Sequence, residues 1–257
     1  MTKIRSSFSS LQDSHRHSLQ TLELLEGYND FMESITTMAD FGSGQEGLDI
    51  EWWATRMSND EIPVPLNIDC TAVDIMESCR MTARYKNVKY TNQDLEKEYT
   101  AAYKNFDLIW CHDVFQYFQY PLDALKHWRK VSAPGGMLVL IFPQNVNVEG
   151  SVKAYDQQDG QLYNWTMISL IHHLALAGWN CAEGFFSKRA NSPWIHAAVY
   201  NTDQPTRDVR ETSWYDLAES GLLPESLAKS VNKYGYARER DLIVPWLDKS
   251  LSWMGQQ

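Results

Sequence analysis

Met38-Ala39-Asp40-Phe41-Gly42-Ser43-Gly44-Gln45-Glu46-Gly47 is a short apolar run that ends in an acid and opens into a glycine-rich turn. Glycines at 42 and 44 reach backbone angles closed to other residues, and they let main-chain N–H groups approach a ligand that a side chain would fend off. The stretch predicts a nucleotide held against bare backbone. Its surroundings decide which nucleotide.

Working outward, further strand-like runs occur at residues 71–74 (the second strand, placed near 67–73), 88–95, 106–111 and 134–142, the last nearly all apolar from 137 onward. Helical spacing is read over 14–35 (Leu19, Leu22, Leu25, Tyr28, Phe31, Met32), 47–57, 76–83, 95–104, 121–131 and 164–177. Residues 58–65, with two prolines, read as a loop; Ser132-Ala133-Pro134-Gly135-Gly136 reads as a turn, and Gly178 as a helix stop. Alternating runs at 179–188 and 194–201 predict a hairpin. Strands separated by helices close into a parallel sheet with ligands at the carboxyl ends of its strands.

A chain of 257 residues suits one large α/β domain with additions. No apolar run approaches the roughly 18 residues a bilayer span needs, and the amino terminus lacks a signal-peptide layout, so the expectation is a soluble, cytoplasmic protein without a membrane span. The four cysteines form no Cys-x-x-Cys pair, which predicts reduced thiols and no metal site. A formal net charge of −10 speaks against a nucleic-acid partner, because duplex binding rests on clustered Lys and Arg. Arg80, Arg84, Lys86 and Lys89 read as a solvated helix face. Most of the ten tryptophans and thirteen tyrosines belong to the core; Trp52, Trp53, Tyr117, Trp165 and Trp214 are the rings that could instead wall a pocket.

The ordered set of segments resembles the class I S-adenosylmethionine-dependent methyltransferases, and residues 106–138 resemble the small-molecule, quinone-biosynthesis type. The resemblance spans roughly residues 35 to 200. It implies a Rossmann-like α/β fold: a mostly parallel seven-stranded sheet flanked by helices, with an antiparallel last strand. Around it stand an amino-terminal helical lid (1–35), the cofactor-binding domain (36–202) and a carboxyl-terminal helical extension of the same domain (203–257). The extension would close over substrate or bind a second copy in a homodimer, alternatives that stay open.

By that resemblance the cofactor is S-adenosyl-L-methionine. Asp40, Phe41, Gly42, Ser43 and Gly44 would form its turn. Asp74, followed by Ile75, would accept both ribose hydroxyls, with Asp69 as the fallback. Asp94 would reach the adenine amine while Leu95 packs on the ring. Cys111 and His112, at the end of the fourth strand, would lie beside the methionine end.

Residues 42–47 also fit the G-x-G-x-x-G of dinucleotide dehydrogenases, which makes an NAD-dependent oxidoreductase the competing reading. Electrostatics separates the two. A pyrophosphate parked on this turn would meet Asp40 and Glu46, and one unit of like charge at about 5 Å costs roughly 3 kcal/mol at an effective dielectric of about 20. The sulfonium and amino group of S-adenosylmethionine are cations, so the same acids favour them. Two departures from the methyltransferase pattern stand: Glu46 occupies the usual place of a third glycine, and Asp74 lies further along the chain than the usual interval of about 20 residues. A non-catalytic cofactor-binding or assembly module is the third reading.

Methyl transfer from a sulfonium is an in-line displacement, so alignment supplies most of the catalysis and a base is optional. His112, Asp113 and Tyr117 follow the fourth strand and are the candidate catalytic residues. Relatives carry a His pair where this chain has Gln116-Tyr117. His172-His173 reads as one packed and one solvated imidazole. The acidic charge and the absence of nucleic-acid methylase signatures after the fourth strand leave a small-molecule methyl acceptor as the expected partner, with a protein side chain second.

Overall fold

The computed structural model describes residues 15–25, 34–57, 63–65, 68–99, 105–143, 162–163, 165–188 and 194–243. In chain order they form α1 (His15–Leu25), β1 (Thr37–Phe41), α2 (Leu48–Ala54), β2 (Thr55–Met57), β3 (Pro63–Pro65), β4 (Asp69–Asp74), α3 (Met81–Arg84), β5 (Val88–Asn92), β6 (Phe106–His112), α4 (Pro121–Val131), β7 (Ser132–Pro143), α5 (Met167–Ala177), β8 (Trp179–Lys188), β9 (Trp194–Asn201), α6 (Trp214–Glu219) and α7 (Glu225–Tyr234). The lid over 1–14, the helical readings over 26–33 and 100–104, the connection at 189–193 and the extension beyond 243 lie outside the described residues.

Seven strands make one sheet in the order β5-β4-β1-β6-β7-β9-β8. The first five are parallel, and β9 inserts antiparallel between β7 and β8. This is the Rossmann-like arrangement expected of the sequence. Side chains alternate between the two faces of a strand, and here both faces are buried. On one face Met38, Leu108, Trp110, Met137, Val139, Ile141 and Ala198 pack with Leu22, Leu25, Ile50 and Trp53 from the flanking segments. On the other, Ala39, Phe41, Ile109, Cys111, Leu138, Leu140 and Phe142 pack with Leu125, Trp128, Leu170 and Leu174. Each fully buried large apolar side chain contributes roughly 1.5–3 kcal/mol, so the two faces together supply the main drive for folding.

Several local boundaries differ from the sequence reading, each for a backbone reason. Helix over 47–57 gives way at Thr55, whose extended backbone starts β2. Residues 63–65, read as loop, pair antiparallel with β2. An antiparallel ladder needs donors only at alternate positions, so Val64 opposite Arg56 carries it and the flanking prolines do not interrupt it. Helix over 76–83 is displaced to α3. Asp74 Oδ1 takes the Met76 N–H at 2.9 Å, Asn92 Nδ2 donates to the carbonyls of Ile75 (2.9 Å) and Met76 (2.5 Å), and Tyr90 also donates to Met76. Those bonds hold 75–77 as a bend.

The third strand ends at Asn92, and helix from 95 is only a turn at 95–97, closed by Lys97 N–H to Asp94 C=O at 3.1 Å. The 132–136 turn is instead a bulge within β7: two residues of β6 span the distance of five on β7, from Phe106↔Ser132 to Leu108↔Met137. Asn201 Nδ2 ties the bulge down, donating to the carbonyls of Ser132 and Ala133 at 3.0 Å each. In the extension, Leu217, Leu222, Leu223 and Leu227 join the α4/α5 core.

α5 starts at Met167, later than the spacing suggested, because Thr166 caps it: its hydroxyl accepts the Ser169 N–H while Ser169 returns the bond to the Thr166 N–H. Thr166→Ala should destabilise the protein by about 1 kcal/mol, whereas Thr166→Asn, which keeps an acceptor, should cost much less. Equal denaturant midpoints for the wild type and the alanine variant would show that the cap contributes nothing.

Candidate active site

β1 delivers Asp40 to the sheet's carboxyl edge on the α2 side, where it is 2% exposed. Gly42 turns the chain with φ +88°, and its N–H donates to Val73 C=O at 2.7 Å. A Cβ at Gly42 would lie 2.1 Å from Val114 Cγ2, so glycine is required there by the loop after β6. Gly44, φ +61°, has open space where a Cβ would stand, as a surface reserved for a ligand needs. Its N–H donates to Asp74 Oδ2 at 2.8 Å. The end of β4 therefore grips the glycine turn directly.

Burial raises the Asp40 carboxyl well above its ordinary 3.8, and the charges of Asp49 and Asp74 push it the same way. The turn is thus surrounded by carboxylates that repel one another. Glu46, also in the turn, points outward to Arg80, with a contact of 2.7 Å between exposed groups. Arg84 pairs with Glu51 at 2.7 Å, so this stretch of positive charge is matched by acids on its own surface.

The other sequence-selected residues fall into three groups. Asp74 and Ile75 stand at the crevice, and Ile75 is 70% exposed beside the half-buried Asp74. Asp94 is nearby in chain order but engaged: partial burial raises its carboxyl, while the outweighing bonds from Lys97 (3.1 Å) and the Glu96 N–H (3.1 Å) leave it below the ordinary value. Phe41, Leu95 and Cys111 point their side chains into the α4/α5 core. Phe41 packs edge-on against Trp128 at 5.1 Å, and burial, reinforced by Asp40, raises the Cys111 thiol. Ser43 stays at the turn, its N–H reaching Val73 C=O at 3.3 Å.

After β6, Asp113 adopts φ +59° and its N–H donates to Ile141 C=O at 2.8 Å. Its Oδ1 accepts from Gln116 Nε2 at 2.7 Å. Tyr117 is 42% exposed on a single 3-10 turn. His112 points to the opposite face from Cys111, 7% exposed under α1. His172 and His173 are both half-buried on α5. Burial, then the neighbouring His173, presses His172 down to about 4, and its ring lies tilted against Trp214 at 4.6 Å.

The residues that sequence reasoning missed surround His112. Asp49 Oδ2, in the first turn of α2, lies 2.7 Å from His112 Nδ1 and accepts from Ser18 Oγ at 3.0 Å and, more weakly, from Trp110 Nε1 at 3.4 Å. Ser18 Oγ is itself 3.0 Å from His112 Nδ1. One helical turn on, Thr21 Oγ1 lies 2.7 Å from His196 Nδ1. His112, Ile141 and His196 are register partners across β6, β7 and β9, so α1 rests on a row of side chains at the sheet's ligand edge. A Ser and a Thr at i, i+3 in a leading helix was the available signal.

A family model described as methyltransferase domain matches residues 39–140. Residues 39–140 are a methyltransferase domain. The match begins in the middle of β1 and ends within β7, so it contains the glycine turn, Asp74, Asp94 and His112. The chain is similar to the N-methyltransferase NodS of Bradyrhizobium japonicum WM9, solved with S-adenosyl-L-homocysteine, at 19% identity and a TM-score of 0.51, covering 77% of this chain and 93% of that one. It is also similar to the 1,6-didemethyltoxoflavin-N1-methyltransferase of Burkholderia thailandensis, solved with S-adenosylhomocysteine and 1,6-didemethyltoxoflavin, at 14% identity and a TM-score of 0.54, covering 76% and 82%.

At such identities the likeness establishes the fold, and the acceptors belong to those proteins. No curated protein matches the sequence. The methyltransferase domain uses S-adenosylmethionine, so the dinucleotide alternative falls. The site fits that cofactor: a cation relieves the repulsion among Asp40, Asp49 and Asp74, which a pyrophosphate would aggravate.

Because the folded state holds the Asp40 carboxyl above its unfolded value, it binds more protons than the unfolded chain between about 3.9 and the raised value, and stability falls as pH rises through that window. Asp40→Asn should therefore be at least as stable as wild type at pH 7.5. The difference in melting temperature should shrink as pH falls toward 4. A variant less stable at both pH values would show that the charge is compensated in the native state.

Proposed function

We propose that this methyltransferase acts on a small-molecule acceptor, with the amino-acid and sulfonium end of its cofactor seated between the glycine turn and the end of β6. The observation that carries the reading is the trio Asp40, Asp49 and Asp74 around a turn whose Gly44 leaves open space. When bound, S-adenosylmethionine supplies an electrophilic methyl group that already has its leaving group.

In this reading Asp74 accepts the ribose hydroxyls, each charge-assisted bond contributing roughly 1.5–3 kcal/mol. Its hold on Gly44 preorganises both the acid and the turn. The exposed Ile75 offers an apolar face to adenine, and Asp94 accepts the exocyclic amine once Lys97 yields. The backbones of Phe41, Gly42, Ser43, Cys111 and Leu95 line the path. His112, Asp113 and Tyr117 stand on the acceptor side, and α1 covers the site from above. The four described cysteines, all buried and unpaired, fit a reducing cytoplasm.

Isothermal calorimetry of the purified protein with S-adenosylmethionine and NADH should show heat with the first alone. Asp74→Ala should weaken S-adenosylmethionine binding at least tenfold. Unchanged affinity would remove Asp74 from the ribose, and silence toward both ligands would turn the reading to a non-catalytic module.

A further inference from the structure

The contacts around His112 join three segments remote in sequence: Ser18 on α1, Asp49 on α2 and His112 at the end of β6. Asp49 Oδ2 is 2.7 Å from His112 Nδ1. An ionised carboxylate only accepts, so this distance requires the proton on Nδ1 and leaves the lone pair on Nε2. Hydrogen bonds to a carboxylate favour its charged form, and Asp49 collects them: His112, the Ser18 hydroxyl at 3.0 Å and the weaker Trp110 indole at 3.4 Å. The Ser18 oxygen, having donated to Asp49, can accept a share of the same Nδ1–H. His112 is thus restrained from two sides at one nitrogen.

The geometry points to Asp49 as a positioning residue that fixes the tautomer of His112, holds its basic Nε2 at the sheet's carboxyl edge, buried beneath α1, and raises its basicity. An acceptor that uses such a base is one whose nucleophile carries a proton to lose, a hydroxyl or an N–H. A thioether or tertiary amine has none. This assignment of acceptor class rests on the proposed methyl transfer; the orientation of the imidazole does not. The proton would pass from the acceptor oxygen or nitrogen to Nε2 as the new bond to carbon forms and the carbon–sulfur bond breaks, leaving the imidazolium paired with Asp49. Trp194 lies 5.6 Å from this ring, and the titratable groups beyond it are His17 on α1, which stacks on Trp194 at 4.0 Å, and His196 on β9, 5.9 Å from His17; Asp40 stands behind Asp49.

The test is a long-range 15N–1H correlation of the histidines in the full-length protein, recorded with S-adenosylhomocysteine across a pH series and assigned with His112→Gln. Wild type should show His112 neutral with the proton on Nδ1. In Asp49→Asn its titration midpoint should fall by about 1 pH unit or more, because an opposite charge in contact is lost. Ser18→Ala should leave the tautomer in place and guards against reading a folding defect as a lost dyad. A proton on Nε2 in the wild type, or a midpoint unmoved in a folded Asp49→Asn protein, would overturn the assignment. Calorimetry separates the two failures: correct tautomer without cofactor binding sinks the proposed reaction, and cofactor binding with the wrong tautomer sinks only the role of Asp49.

Discussion

A buried carboxylate with acids for neighbours organises the ligand edge of this molecule. Asp40 is carried there by β1 and cannot turn away, because its position on the strand commits it to the α2 face beside Trp110. Asp74 and Asp49 approach from the next strand and the next helix, and the charge of each makes Asp40 costlier to ionise. Folding alone offers no reason to bring such groups together. In the proposed function a cationic ligand does, and the sheet has to be rigid enough to hold the acids in wait for it.

That rigidity comes from elements with separate tasks. The sheet alternates strictly, so one face takes α1 and α2 while the other takes α4 and α5. Asp74 then ties down two backbones, the glycine turn through Gly44 on one oxygen and the 75–77 bend through Met76 on the other. α1 completes the edge from above, and it does so with polar contacts to His112 and His196 rather than with apolar ones alone. Polar contacts of this kind fix one docking position, because a slipped helix would leave buried donors and acceptors unmatched.

The fold was legible because its signals are local. Glycines and an acid after an apolar run, strands at βαβ spacing and Gly178 at a helix end are all short-range patterns. The departures are places where a side chain intercepts backbone bonds: Asp74, Tyr90 and Asn92 holding 75–77 out of a helix, or Asn201 converting an expected turn into a strand bulge. The site was half legible. Asp40 and Asp74 sit in recognisable motifs, and His112 follows a strand. Asp49 looks like any acid in a first helical turn, and its partner is 63 residues away. Ser18 and Thr21 are ordinary helix residues until the sheet places imidazoles beneath them. Leu95 was chosen for adenine by position in a motif, yet its side chain belongs to the core because the turn at 95–97 rotates it inward.

The small β2–β3 ribbon sits in the crossover that separates Gly44 from Asp74, 30 residues apart. Val64 turns its N–H toward β2, so the outward positions of β3 are Pro63 and Pro65, which have no N–H to offer. An incoming strand would find carbonyls but no donors along that edge. The ribbon therefore adds length to the crossover while its β3 edge offers no donor on which another chain could template β-structure.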